Sequence, residues 1–315
     1  MIPDRVLGFI KEAHHTGRPG EYQTVRAEWI ARARKELQDR RSPNGGWSYR
    51  RGGMPAAEPT ATAVLALLSA GDNRRDGLGS AGDWLAQLQH EGGSVPAAPA
   101  ESAPGWTTPY AMLAWQRLRG YDQPRQLARD WLLRVAGKRI PKSQEAGYVL
   151  GHDPSLIGWP WVVGTHSWLE PTAMAILALR GEGLGDHPRA RAGLAVVVDR
   201  AIPAGGWNYG NKSVFGQALR PQPGPTGLAL LAMARGAPGD DRVVGPAIDY
   251  LRRTLPTIRA AASLGWGVLG LRAHSAAPIE AEGWLAEAAD RSLARPDSTL
   301  GLGLLLMAAS DASPF

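Results

Sequence analysis

The sequence predicts an all-α protein, an (α/α)6 toroid in which six helical hairpins close into an inner ring of helices wrapped by an outer one. Three observations predict it. A turn, a Pro and an apolar run recur as Glu58-Pro59-Thr60-Ala61, Glu170-Pro171-Thr172-Ala173 and Gly224-Pro225-Thr226-Gly227. An aromatic residue followed by an aliphatic one recurs in mixed-charge stretches, at Trp29-Ile30, Trp84-Leu85, Trp131-Leu132, Tyr250-Leu251 and Trp284-Leu285. The two kinds of segment alternate, so the chain repeats one unit made of an amphipathic helix and a wholly apolar one.

In chain order, the outer and inner helices pair as 25–41 with 60–70, 80–90 with 107–120, and 123–136 with 172–181. Three further pairs are 188–201 with 226–236, 242–254 with 258–273, and 278–294 with 298–310. The amphipathic member of each pair buries one face, whereas runs such as 60–68, 172–179 and 300–307 must be covered on every side. An open stack of such pairs needs polar end repeats, and neither the first nor the last apolar helix is polar. Closure follows, with residues 1–315 as one domain, residues 1–22 as an N-terminal extension and no linker between.

Composition narrows the function classes. The chain has no Cys, which excludes disulfides and thiolate zinc sites. Its net charge of +6 comes from Arg scattered along the outer helices, such as Arg26, Arg32, Arg34, Arg125 and Arg129. Nucleic-acid binding needs such groups clustered, so none is expected; anionic lipid surfaces or a diphosphate-bearing molecule fit the charge better. Residues 1–15 carry Asp4, Arg5, Lys11 and Glu12 around a short apolar patch and lack the core of a secretory signal. No apolar run reaches the roughly 20 residues that span a bilayer. A cytoplasmic protein is expected, with peripheral membrane contact through an exposed apolar patch left open and the oligomeric state unassigned.

The connections point to the site. Residues 41–59, 91–105, 137–171 and 202–225 all leave an outer helix and enter an inner one, so they gather on one rim, where the positive ends of the inner helices converge. Two of them share Gly45-Gly46-Trp47-Ser48-Tyr49 and Gly205-Gly206-Trp207-Asn208-Tyr209, with Glu91-Gly92-Gly93-Ser94 as a degenerate third. Paired Gly permits the left-handed turn that ends a helix, and Trp covers it; the same rings also offer flat faces to an apolar ligand or a sugar. The long connection 137–171 reads as a lid carrying His152, Asp153, Trp159, Trp161, His166 and Trp168. His166 and Glu170, four residues apart, are a candidate acid/base pair. Asp240-Asp241 lies toward the opposite rim and reads as a cap for the helix starting near Arg242.

The stretch Trp84-Leu85-Ala86-Gln87-Leu88-Gln89-His90-Glu91-Gly92-Gly93 resembles the aromatic, Gln and Gly core of the QW repeat of the squalene cyclase and protein prenyltransferase β-subunit superfamily. The resemblance extends through the Gly-Gly-Trp and Pro-Thr-Ala segments over roughly residues 25–310. It implies an α/α toroid whose central apolar cavity holds an isoprenoid. The departures matter as much. The acid motifs of the family's class II cyclases, DxDD and DCTA, are absent; aligning the acid-x-Thr-Ala step puts Glu58 or Glu170 at the acid, with Pro59 or Pro171 replacing the second carboxylate. A lone Glu at a helix N-terminus is expected to stay ionised. Absence of Cys removes the zinc triad of the prenyltransferases, and no metal ion or cofactor is expected.

Three readings follow. One is a terpene cyclase- or mutase-like protein, of the isomerase or lyase class if catalytic. It would bind or cyclise an isoprenoid, with Trp47, Tyr49, Trp159, Trp161, Trp168, Trp207 and Tyr209 lining the pocket and Glu58, Glu170 and His166 as candidate catalysts. Another is a carbohydrate-active toroid using Glu58 and Glu170 as acid and base. The third is a non-catalytic scaffold that binds a lipid or a protein.

Overall fold

The computed structural model describes residues 19–71, 75–101, 105–142, 149–234, 241–295, 298–312 and 314–315. Six outer helices are α1 (Pro19–Asp39), α3 (Arg75–Leu88), α5 (Asp122–Arg134), α7 (Pro188–Asp199), α9 (Asp241–Thr254) and α11 (Ala281–Ala294). Six inner ones are α2 (Ala57–Ser69), α4 (Thr108–Arg117), α6 (Leu169–Gly181), α8 (Pro223–Met233), α10 (Ala261–Ala273) and α12 (Thr299–Ala309). Each inner helix packs on the next, and α12 packs on α2, so the ring is closed. Each outer helix lies in the groove between two inner neighbours, α1 completing the circuit between α12 and α2.

The apolar inner helices are buried on all sides, as their sequences require: every residue of α8 and all but Leu68 of α2 are buried. Part of this packing depends on backbone contact. A side chain at Gly227 would overlap the Trp266 carbonyl, and one at Gly270 would overlap that of Gly227, so α8 and α10 approach more closely than side chains permit.

One device repeats in four of the hairpins. The Trp47 N–H donates to Thr60 Oγ1 at 2.8 Å, Val95 to Thr108 at 2.9 Å, Trp159 to Thr172 at 3.0 Å and Trp207 to Thr226 at 2.9 Å. The indole N–H of each Trp then donates to an outer-helix carbonyl, Trp47 to Leu37 at 2.7 Å, Trp159 to Leu132 at 2.9 Å and Trp207 to Val197 at 2.7 Å. Each of the three Trp-bearing connections is thereby stapled to both helices it joins. Gly45, Gly93 and Gly205, all left-handed at φ of 97°, 94° and 95°, abut the backbone of the next outer helix at Ser80, Leu127 and Pro246, where a side chain would collide. The Gly-Gly-Trp pattern thus specifies how one hairpin docks on its neighbour.

A second set of bonds runs between repeats. The first N–H of α2 donates to Ala97 O at 2.9 Å, that of α6 to Tyr209 O at 3.1 Å, and that of α12 to Tyr49 O at 3.0 Å. Every acceptor lies two residues past a stapled position of the following connection, so unsatisfied helix N-termini are capped by the next repeat. The last of these bonds closes the circle.

The structure also departs from the sequence reading. α1 begins at Pro19, earlier than residue 25. The fifth inner helix begins at Ala261 instead of 258, because Pro256 tightens the connection into a 3-10 turn, Leu255–Thr257. The connection 202–225 carries a two-stranded hairpin, Ser213–Val214 with Gln217–Ala218, turned through Phe215 and Gly216 at positive φ. Asp240 and most of the N-terminal extension lie outside the described residues. No helix among the described residues is long and apolar enough to cross a membrane.

Candidate functional site

The stapling threonines fix a common register. Two residues before each, at the start of the inner helix, stand Glu58, Trp106, Glu170 and Gly224. Glu58 and Glu170 occupy the first turns of α2 and α6, the two helices that flank α4. From α4, Tyr110 reaches between them.

The Tyr110 hydroxyl donates to Glu170 Oε1 at 3.0 Å and also acts on the Glu58 carboxylate. Tyr49, two residues past the staple of the first connection, donates its hydroxyl to Glu58 Oε2 at 2.6 Å. Two carboxyl groups and two phenols therefore form one hydrogen-bonded cluster. Glu58 is only 7% exposed and Tyr110 2%, while Glu170 is partly open and Tyr49, at 41%, faces solvent. The cluster lies just under the rim.

Its electrostatics correct the expectation of two ionised helix-terminal glutamates. Burial pushes the Glu170 carboxyl up to about 7, repulsion from Glu58 adds to the rise, and the Tyr110 bond opposes it. Burial also raises Glu58, against the bonds from Tyr49 and Tyr110. The dipole at a helix N-terminus is worth about 0.3–1 kcal/mol at an exposed site; desolvation and a like charge outweigh it here. Burial and the neighbouring carboxylates in turn raise both phenols above their ordinary value. Below about pH 7 the Glu170 carboxyl holds its proton.

Aromatic rings wall one side. Trp106 meets Tyr110 edge-on at 5.7 Å and Trp161 at 4.5 Å. Sequence reading missed Trp106 and Tyr110, since Thr107-Thr108-Pro109-Tyr110 lacks the Pro-Thr order of the other repeats; only the staple from Val95 reveals their register.

The other proposed residues are placed as follows. Trp47, Trp159 and Trp207 are 1%, 2% and 0% exposed, each with its indole N–H engaged in the staple, so they form the wall between rings and are not brought together around the carboxyls. Trp159 also has the Arg189 guanidinium over its ring at 4.0 Å. Trp161 stands beside Trp106. Trp168 and Tyr209 line an open groove of about 340 Å³ with Asn208, Asn211, Arg220 and Gln222. His166 is exposed, with its ring 4.7 Å from that of Trp168. Partial desolvation of its ring and the charge of Arg200 lower its pKa; among the described residues no hydrogen bond or ion pair joins His166 to Glu170. The connection from Gly137 is folded onto itself, with Gly137 N bonded to Gly158 O at 3.0 Å and Trp168 N to Trp159 O at 3.0 Å.

No protein-family model and no curated protein sequence matches the chain. Solved structures do. A single-residue variant of the type II terpene cyclase MstE from Scytonema, bound to its substrate geranylgeranyl dihydroxybenzoate, is 15% identical with a TM-score of 0.57, over 91% of this chain and 79% of that one. A variant of the same cyclase bound to its product, merosterolic acid A, is 16% identical with a TM-score of 0.60, over 86% and 82%. An inactive variant of an α-1,6-mannanase from a Salegentibacter species, bound to α-1,6-mannotriose, is 13% identical with a TM-score of 0.61, over 90% and 98%. The chain shares the α/α-toroid fold of these enzymes.

Proposed function

We propose that the protein is a terpene cyclase-like enzyme that starts an isomerisation or cyclisation of an isoprenoid by proton transfer from Glu170. The observation that carries the reading is the single cluster of Glu170, Tyr110, Glu58 and Tyr49, in which burial lets Glu170 hold its proton up to about pH 7 beside a second carboxyl. In the reaction, Glu170 gives its proton to one carbon of a double bond. The π pair forms the new C–H bond and leaves a cation at the other carbon; Glu170 becomes a carboxylate that still accepts from Tyr110. The rings of Trp106 and Trp161 face the developing positive charge. Loss of an adjacent proton to the Glu58 carboxylate or to water restores neutrality. The isoprenoid-bound cyclases of the same fold support this reading.

The rim supports delivery from a membrane surface. Met54, Val162, Val163, Tyr209 and Phe215 are exposed on its connections, with Phe215 at 62% and Met54 at 71%, among the exposed cations Arg50, Arg139, Lys138 and Arg220. Exposed apolar side chains on these connections, interspersed with cations, suit an anionic bilayer.

A second reading, glycoside hydrolysis, is favoured by one observation. The groove beside Trp168 and Tyr209 combines aromatic faces with the amides of Asn208, Asn211 and Gln222, a lining suited to sugars, next to a carboxyl pair of the kind that reaction uses. Incubating the protein and its Glu170→Gln variant with a panel of prenyl and glycan substrates decides between them. A rearranged prenyl product lost in the variant supports the first reading; a released sugar lost in the variant replaces it with the second.

A further inference from the structure

No acidic residue lines the open groove of about 340 Å³ beside Trp168 and Tyr209. Its polar lining is three amides, Asn208, Asn211 and Gln222, and the exposed guanidinium of Arg220, which has no ion-pair partner among the described residues. Asn208 Oδ1 accepts from the Gly210 N–H at 3.0 Å, which leaves its NH2 as a donor. Asn211 Oδ1 is buried and has no hydrogen-bond partner among the described residues. Buried polar atoms are nearly always paired in native proteins, so Asn211 offers an acceptor to a hydroxyl bound in the groove.

A second cation lies under the floor. Arg200, 3% exposed, donates to Gly210 O at 2.8 Å, the residue between Tyr209 and Asn211, and its Nε has no hydrogen-bond partner among the described residues. Neighbouring imidazoles feel its charge: burial and Arg200 together lower His152 to about 4, and the same two causes lower His166. The acidic groups packed below are already matched. Asp199 faces Lys212 at 3.5 Å and Arg200 at 3.8 Å, and Asp153 faces Lys142 at 3.1 Å. Arg220, Arg200, Lys212 and Lys142 thus meet only these two carboxylates, and a buried charge such as Arg200 is screened much less than an exposed one.

We propose that the groove binds a sugar carrying one anionic group, either a sugar acid or a sugar phosphate. The exposed Tyr209 ring offers a face to the apolar side of the sugar, and the amides meet its hydroxyls. Arg220 pairs with the carboxylate or phosphate, which a guanidinium matches with two parallel bonds, while Arg200 holds the floor positive from below. A neutral sugar leaves that excess of positive charge unanswered. The inference rests on the placing of a sugar in this groove under the second reading and adds the charge; it asks nothing of Glu170.

Calorimetric titration of the full chain with glucuronate, glucose 6-phosphate, glucose and inorganic phosphate tests this. At least one anionic sugar binds about tenfold or more tighter than glucose, and the tighter of the two names the anion. Arg220→Gln, at an exposed position, removes that preference and leaves the unfolding midpoint in place, whereas Glu170→Gln leaves every affinity unchanged. Glucose binding as tightly as both anionic sugars would overturn the charge and leave the sugar groove of the second reading standing. Inorganic phosphate binding as tightly as glucose 6-phosphate, no binding of any sugar, an intact preference in Arg220→Gln, or loss of binding in Glu170→Gln would each overturn the proposal. A protein that binds the anionic sugar yet cleaves no glycan loses only the hydrolysis of the second reading.

Discussion

The Tyr110 hydroxyl donates to Glu170 at 3.0 Å from a helix that separates the two carboxyl-bearing helices, and the same hydroxyl acts on Glu58. One phenol thus couples two acids more than a hundred residues apart in sequence, and several consequences can be measured.

Removing the phenol shifts both acids in one direction. The Tyr110 bond favours the ionised form of each carboxyl, so Tyr110→Phe raises both titration midpoints. Carboxyl carbon NMR of glutamate-labelled protein reads this directly, and unchanged midpoints would show that the bond carries no weight.

Glu170 also makes stability pH-dependent. Its folded pKa of about 7 lies above the ordinary glutamate value of about 4.3, so between these the native state binds more protons than the unfolded one. Stability from this group is therefore complete below about pH 4 and is lost as pH rises through about 7. Glu170→Gln removes that slope: in thermal unfolding, the variant gains on the parent as pH increases across this window. A parallel pair of curves would contradict the raised pKa.

If Glu170 is the proton donor, Glu170→Gln lowers the turnover of a prenyl substrate by about 10²–10⁴-fold with little change in its binding, the usual scale for a general acid. Steady-state kinetics with independent binding measurements check this. A variant of full activity would remove Glu170 from the chemistry.

Much of the fold was legible because its determinants are local and periodic. The Pro-Thr step marks where Thr60, Thr172 and Thr226 staple a connection, and Gly45 and Gly205 stand where only glycine fits. The site was legible in part. Repetition singles out Glu58 and Glu170, but Tyr110 and Trp106 sit in a repeat whose spacing matches and whose residues do not, since Val95 takes the place of Trp. Ionisation was misread because it depends on which groups meet through space, and a helix-terminal position says nothing of a second carboxyl on the far side of a neighbouring helix. The resemblance implied a central cavity, but that a cavity opens among the C-terminal ends of the inner helices, away from the long connections, depends on which side chains fail to fill the axis.

The staples predict stability effects away from the site. Thr226→Val leaves the buried Trp207 N–H without its acceptor and costs about 1–3 kcal/mol; Thr60→Val does the same at Trp47. Urea denaturation measures both. A loss under a few tenths of a kcal/mol at each would show that the bonds are incidental.

The membrane reading has its own test. Replacing Met54 and Phe215 together by Ser reduces sedimentation with anionic vesicles while leaving the unfolding midpoint in place, because both side chains are already in solvent. Equal sedimentation of parent and variant would detach the rim from any lipid role.

The shared register of Glu58, Trp106, Glu170 and Gly224 carries a wider consequence. Since threonine and backbone hold the scaffold at every one of these sockets, the residue plugged into each is free to change without rebuilding the ring. Such a molecule can trade one chemistry for another by swapping a few plugs, which accounts for how little an overall likeness of shape says about the reaction performed.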